Sequence, residues 1–152
     1  MLTQLLERFG RKRTILSRVD DSLYLERYYL LFAERQSKVK WFPFNLLLHH
    51  ICASDPSGFH DHPWPWASLI LKGGYWEHTP EGTIWRGAGS FRLRSATAQH
   101  RLEIDRAKAG GETWTLFLVG TRIREWGFID PQGRWVQWEE YLDGLKQKEG
   151  DR

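Results

Sequence analysis

One cysteine, Cys52, stands in 152 residues, so no internal disulfide framework can staple the fold. A lone thiol fits a reducing compartment such as the cytoplasm, and its simplest role is that of a small buried hydrophobe. Long apolar runs are missing too: nothing reaches the ~18 residues that a membrane-spanning helix needs. The opening Met1-Leu2-Thr3-Gln4-Leu5-Leu6-Glu7-Arg8 has neither the apolar core nor the cleavage site of a secretory signal. Neither sign of charge dominates, and a net +3 is too small to announce a nucleic-acid partner. The local cluster Arg8, Arg11, Lys12, Arg13 and Arg18, set against Glu7 and Asp20, reads as the solvated basic end of a helix. Repeats, low-complexity tracts and linkers are absent. These absences leave a single cytoplasmic domain over 1–152, with no membrane or nucleic-acid partner and enough length to bury a core.

Aromatic residues are what the chain has in excess: nine Trp, eight Phe and five Tyr. They fill cores, line small-molecule pockets and anchor oligomer contacts. In chain order, Leu2, Leu5, Leu6 and Phe9 have helical spacing and Gly10 ends that helix. Leu23–Glu34 reads as one long strand, followed by a polar turn around Gln36 to Lys38. Phe44–Cys52 is a second strand, buried on both faces at Leu46-Leu47-Leu48. Asp55-Pro56-Ser57-Gly58 is a loop by its turn chemistry. Further strands are expected at Ala67–Leu71, Tyr75–Thr79, Thr83–Arg86, Phe91–Arg94, Gln99–Ile104, Thr113–Val119, Glu125–Ile129 and Trp135–Trp138. Glu139–Lys148 closes the chain as a helix. Short strands between Gly/Pro turns define an all-β barrel or sandwich with helices only at its two ends. Its core spans about 44–128, between an N-terminal helix and strand (2–36) and a C-terminal hairpin and helix (124–148).

Within that series, His60-Asp61-His62 carries chemistry. Residues two apart on an extended chain point to one side, so two imidazoles converge while Asp61 faces away. Neutral imidazole suits iron, nickel, copper and zinc, but two ligands do not complete a site. His100 is a third candidate: on its strand it shares a face with Leu102 and Ile104, opposite Arg101 and Glu103. An inward His there is either a ligand or a core residue.

His60, His62 and Gly73 match the first cupin motif, His-x-His-x3-4-Glu-x6-Gly. Gly89 and His100 match the second, Gly-x5-Pro-x-Gly-x2-His. The chain resembles the cupin superfamily, in its RmlC-like small single-domain branch, from about Phe44 to Phe128. Trp66 and Ala67 stand where the motif has Glu, Ser95 and Thr97 where it has Pro and Gly, and Ile104 where some members have Asn. The resemblance implies a double-stranded β-helix, the jelly-roll barrel of the cupins. It further implies one divalent transition metal on His60, His62 and His100, Fe(II) favoured over Ni(II) or Zn(II). Glu77 is the first candidate for a fourth ligand, with His78, His49 and His50 behind it. Tyr75, Trp64, Trp66, Trp76 and Trp85 are candidates for the pocket mouth, and Arg92, Arg94 and Arg101 for contact with an anionic ligand.

Two functions follow from this reading. One is a metal-dependent enzyme, an oxygenase acting on a small anionic molecule, with isomerase and lyase chemistry open within the superfamily. The other is a non-catalytic cupin, a ligand-binding or dimerising sensor module with a vestigial site. A homodimer is expected, because 22 aromatics overfill a small barrel and the long Leu23–Glu34 strand would be an uncovered edge.

Overall fold

The computed structural model describes residues 1–33 and 41–150, the last two by backbone alone. The expected turn at Gln36 to Lys38 lies outside the described residues. The elements in order are α1 (Leu2–Arg8), β1 (Lys12–Leu16), β2 (Leu23–Tyr29), β3 (Asn45–Ile51), β4 (Trp66–Lys72), β5 (Gly74–Thr79) and β6 (Gly82–Gly87). They continue with β7 (Phe91–Arg94), β8 (Arg101–Glu103), α2 (Arg106–Ala109), β9 (Thr113–Val119), β10 (Gly127–Ile129), β11 (Trp135–Gln137) and α3 (Trp138–Gly150). All pairings are antiparallel. A six-stranded sheet runs β1-β2-β3-β9-β4-β7, beside a three-stranded sheet β6-β5-β8 and the hairpin β10-β11.

Alternation along each strand sorts the side chains onto two faces. Leu47 (fully buried), Val119, Tyr29, Trp64 and Trp66 form one core cluster facing the interior. Leu6, Tyr28 and Leu48 form a second on the other face of the large sheet, where α1 lays its apolar stripe. The Leu46-Leu47-Leu48 run is thus packed on both sides, as its sequence predicts. Between the large and small sheets lies a cavity of about 880 Å³. At its mouth α3 stacks Trp138 on Trp126 at 5.4 Å and Tyr141 on Phe128 at 4.5 Å.

Three expectations change. The basic stretch taken as a helix end is β1, which pairs with β2 in register from Lys12↔Tyr28 to Leu16↔Leu23. Its charges do not prevent a strand, because an edge strand exposes one side to water. The long Leu23–Glu34 strand ends at Tyr29 and, covered by β1 and β3, is not an edge. Helices are not confined to the ends: α2 is a single turn, capped by Asp105 at its start and by left-handed Gly110 at its end. The two antiparallel sheets otherwise face each other across the cavity, an arrangement consistent with a cupin β-barrel, with no closed barrel defined among the described residues.

Candidate metal centre

The approach to β4 is set by a glycine. Gly58 takes a φ of +104, and a Cβ there would meet the Tyr141 hydroxyl at 2.6 Å. The bare backbone lets the chain pass under α3 and enter the sheet region extended. His60 then exchanges two backbone hydrogen bonds with His100, its N–H to the His100 carbonyl at 2.8 Å and the reverse at 3.0 Å. Residues opposite each other in such a pair point to the same face, so the two imidazoles are brought together by the ladder itself. His62, two residues on, joins them. His60 and His62 lie in an extended loop before β4 rather than inside a strand.

Asp61 faces away, as alternation requires, yet is only 3 % exposed. It accepts hydrogen bonds from Gly127 N–H at 2.9 Å, Trp135 Nε1 at 3.0 Å and the Arg124 guanidinium. The residue between the two histidines therefore clamps their segment to the β10–β11 hairpin.

One ligand atom from each of His60, His62 and His100 lies within 4.8 Å of the other two. His62 Nε2 and His100 Nε2 are 3.0 Å apart. Two nitrogens held at about 2.1 Å from one ion, at a right angle, stand about 3.0 Å apart, so this pair needs little movement to become ligands. Burial pushes the His60 imidazole down to about 4, which keeps it neutral and its lone pair available at pH 7. Asp55 stands 3.6 Å from His60 Nδ1, beyond hydrogen-bond reach. Its own oxygens accept from the Leu102 N–H at 2.6 Å and from the Tyr24 hydroxyl.

Glu77 sits behind His100 rather than beside the three imidazoles. Its Oε1 is 3.3 Å from His100 Nδ1 and its Oε2 accepts from Arg86 Nε at 2.8 Å. Arg92 and Arg94 approach the same oxygen at 3.7 and 4.0 Å. Burial drives the carboxyl up, but the bonds from His100 and Arg86 outweigh it and bring Glu77 down to about 2. An ionised carboxylate on Nδ1 holds the proton there and leaves Nε2 as the donor atom, the outer-shell arrangement common to metal-bound histidine.

The other candidates divide by face. Trp64, Trp66, Tyr75 and His49 line the cavity; Trp66 lies 5.2 Å from the His62 ring and 5.0 Å from that of His100. His78 is on the outer face, bonded to Thr83 and Glu103, and Arg101 reaches Glu103 at 3.0 Å. Trp76 and Trp85 pack on each other outside, under Lys108. His50 is on the outer face as well, stacked on Trp114 at 4.4 Å, with Nδ1 against Glu26 and 3.6 Å from Cys52 Sγ. Arg92, Arg94 and Arg86 do not line the cavity; they gather on Glu77. Sequence reasoning missed Asp55, Asp61 as a clamp, and Arg27, which lines the cavity and whose Nε donates to His49 Nε2 at 3.1 Å.

The fold is that of the cupin proteins. The polyketide cyclase RemF of Streptomyces resistomycificus superposes with a TM-score of 0.55 at 13 % identity, over 81 % of this chain and 82 % of that one. An RmlC-like cupin protein of Ralstonia eutropha JMP134 gives 0.54 at 15 %, over 93 % and 83 %. The structure of Fe(II) HppE gives 0.53 at 13 %, over 71 % of this chain and 56 % of that one. No protein-family sequence model and no curated protein sequence matches the chain. At these identities the likeness is one of fold, so function has to be argued from the site. No helix among the described residues is long and apolar enough to cross a membrane.

Proposed function

We propose that the protein is a metal-dependent cupin whose His60, His62 and His100 hold one divalent transition ion and whose substrate is a small anionic molecule. The observation that carries this is the three-imidazole cluster on the cavity wall, with the buried carboxylate of Glu77 behind His100. Fe(II) is the favoured ion: on three neutral nitrogens it would supply open positions for a chelating substrate and for O2. The protein's own part is to keep His60 neutral by burial, fix the His100 tautomer through Glu77, and shield the site with Trp66 and Phe128. Glu77, paired to Arg86, is assigned a supporting role and not that of fourth ligand. With no carboxylate among the ligands the ion keeps its full +2, and in a water-poor pocket that charge favours anionic chelators over neutral molecules. Nitric oxide added to the Fe(II)-loaded protein gives a paramagnetic reporter. Its spectrum should change with dicarboxylates, amino-thiols or enolisable diketones and stay constant with polyols. The opposite response would overturn the proposal's substrate class.

A non-catalytic ligand-binding cupin is the second reading. One observation favours it: at 3.0 Å the His62 and His100 rings satisfy each other without an ion. Anion binding that persists while none of Fe(II), Ni(II) or Zn(II) is taken up would select it.

A further inference from the structure

Away from the three histidines, the cavity carries positive charge that no carboxylate among the described residues pairs with. Arg13 on β1 and Arg27 on β2 are direct cross-strand partners. Like charges in that relation repel. Both residues line the cavity. Arg27 is only 7 % exposed, and its Nη1 is buried with no hydrogen-bond partner. Its side-chain hydrogen bonds, to His49 and to Tyr29, bring no carboxylate. Among the described residues, no carboxylate lies within ion-pair distance of either guanidinium, because those near the cavity are engaged elsewhere. Asp55 is taken by Tyr24 and Leu102, Asp20 by Ser22 and Asp21 by Lys146. A buried guanidinium left in this state is costly unless something pairs with it.

The same contacts tie this corner to the histidines. His49, which accepts from Arg27, stacks on Phe117 at 5.1 Å, and Phe117 in turn lies 6.1 Å from the His62 ring. Arg27 is thus separated from the imidazole cluster by two ring contacts along one wall.

We propose that Arg27 and Arg13 form an oxyanion subsite, holding an acidic group of the substrate while another part of the same molecule reaches the three histidines. The proposal rests on reading those histidines as the reactive centre. An oxyanion between the two guanidiniums turns one repulsion into two attractions and supplies the acceptor that Arg27 Nη1 lacks. Guanidinium suits carboxylate and phosphate-like groups through paired, charge-assisted hydrogen bonds. The substrate class is therefore a bifunctional acid, with an oxyanion at one end and a metal-chelating group at the other.

Succinate and inorganic phosphate serve as probes, titrated into the full-length protein with and without Zn(II). Binding is read from tryptophan fluorescence and from the rise in Tm. Saturable binding is expected in the metal-free protein, at least ten-fold weaker in Arg27→Gln and several-fold weaker in Arg13→Gln, with Zn(II) uptake intact in both. Without anion, both variants should melt no lower than the unmodified protein, since each loses a like-charge contact. His62→Ala should lose Zn(II) uptake and keep anion binding. The subsite is overturned if the unmodified protein shows no saturable binding, or if Arg13→Gln, on the exposed edge strand, binds both probes unchanged. If Zn(II) is never taken up but anion binding still depends on the two arginines, the metal reading fails and the subsite stands.

Discussion

His60 is held neutral by burial, and that has a consequence for stability. Its imidazole protonates near pH 4 in the folded protein and near 6.5 once unfolded. Between those values the unfolded chain binds the extra proton, so stability falls as pH drops from 6.5 toward 4, by roughly 3 kcal/mol in all. Glu77 adds a second loss: its folded carboxyl, at about 2, is lower than in the unfolded chain, so its contribution is present above pH 4.5 and disappears as pH falls toward 2. Urea unfolding of metal-free protein should therefore show a steady decline below pH 6.5, and a flat profile from pH 7 to 4 would contradict it. Glu77→Gln tests the carboxylate's role at the site. As the partner of His100 its loss should lower metal affinity by about 10–100-fold, well short of His60→Ala, and an equal effect would make Glu77 a ligand. The three histidines were legible in the sequence because alternation and motif spacing are local rules. Arg27 was not, since its meaning depends on Arg13 opposite it and on carboxylates that turned out to be engaged elsewhere.

Strand order and register decide which side chains meet. Glu77 on β5 faces Leu102 on β8, which places His100, two residues earlier, against it. The turn that makes β4 and β5 consecutive depends on Gly73, whose φ is +70 and where a Cβ would sit 2.0 Å from the Glu112 carbonyl oxygen. Gly73→Ala is expected to cost about 2–4 kcal/mol in chemical denaturation, and a loss under about 0.5 kcal/mol would show that the turn relaxes freely. Most strands were readable from apolar runs between Gly/Pro turns. β1 was not, because Arg11-Lys12-Arg13 looks like a solvated surface until β2 is there to pair with it. The α2 turn was missed for a similar reason: four residues carry no periodicity, and only the Asp105 cap and Gly110 mark it.

At the scale of the whole molecule, the cavity takes up many of the aromatics whose number suggested contacts between copies. Trp64, Trp66, Phe117, Trp126, Phe128 and Trp138 all line it. The outside still shows Phe91 at 59 % and Leu93 at 73 % exposure on β7, an edge of the large sheet. A homodimer therefore remains our proposal on exposed apolar surface. Sedimentation at micromolar concentration should return twice the chain mass, and a single-chain mass would refute it. The central claim, a metal on three histidines, is tested most directly by elemental analysis of untagged protein after anaerobic exposure to Fe(II), Ni(II) or Zn(II). The account predicts one divalent ion per chain, abolished by His60→Ala, His62→Ala or His100→Ala alone. Sub-stoichiometric loading with all three ions, or full loading of His100→Ala, would contradict it.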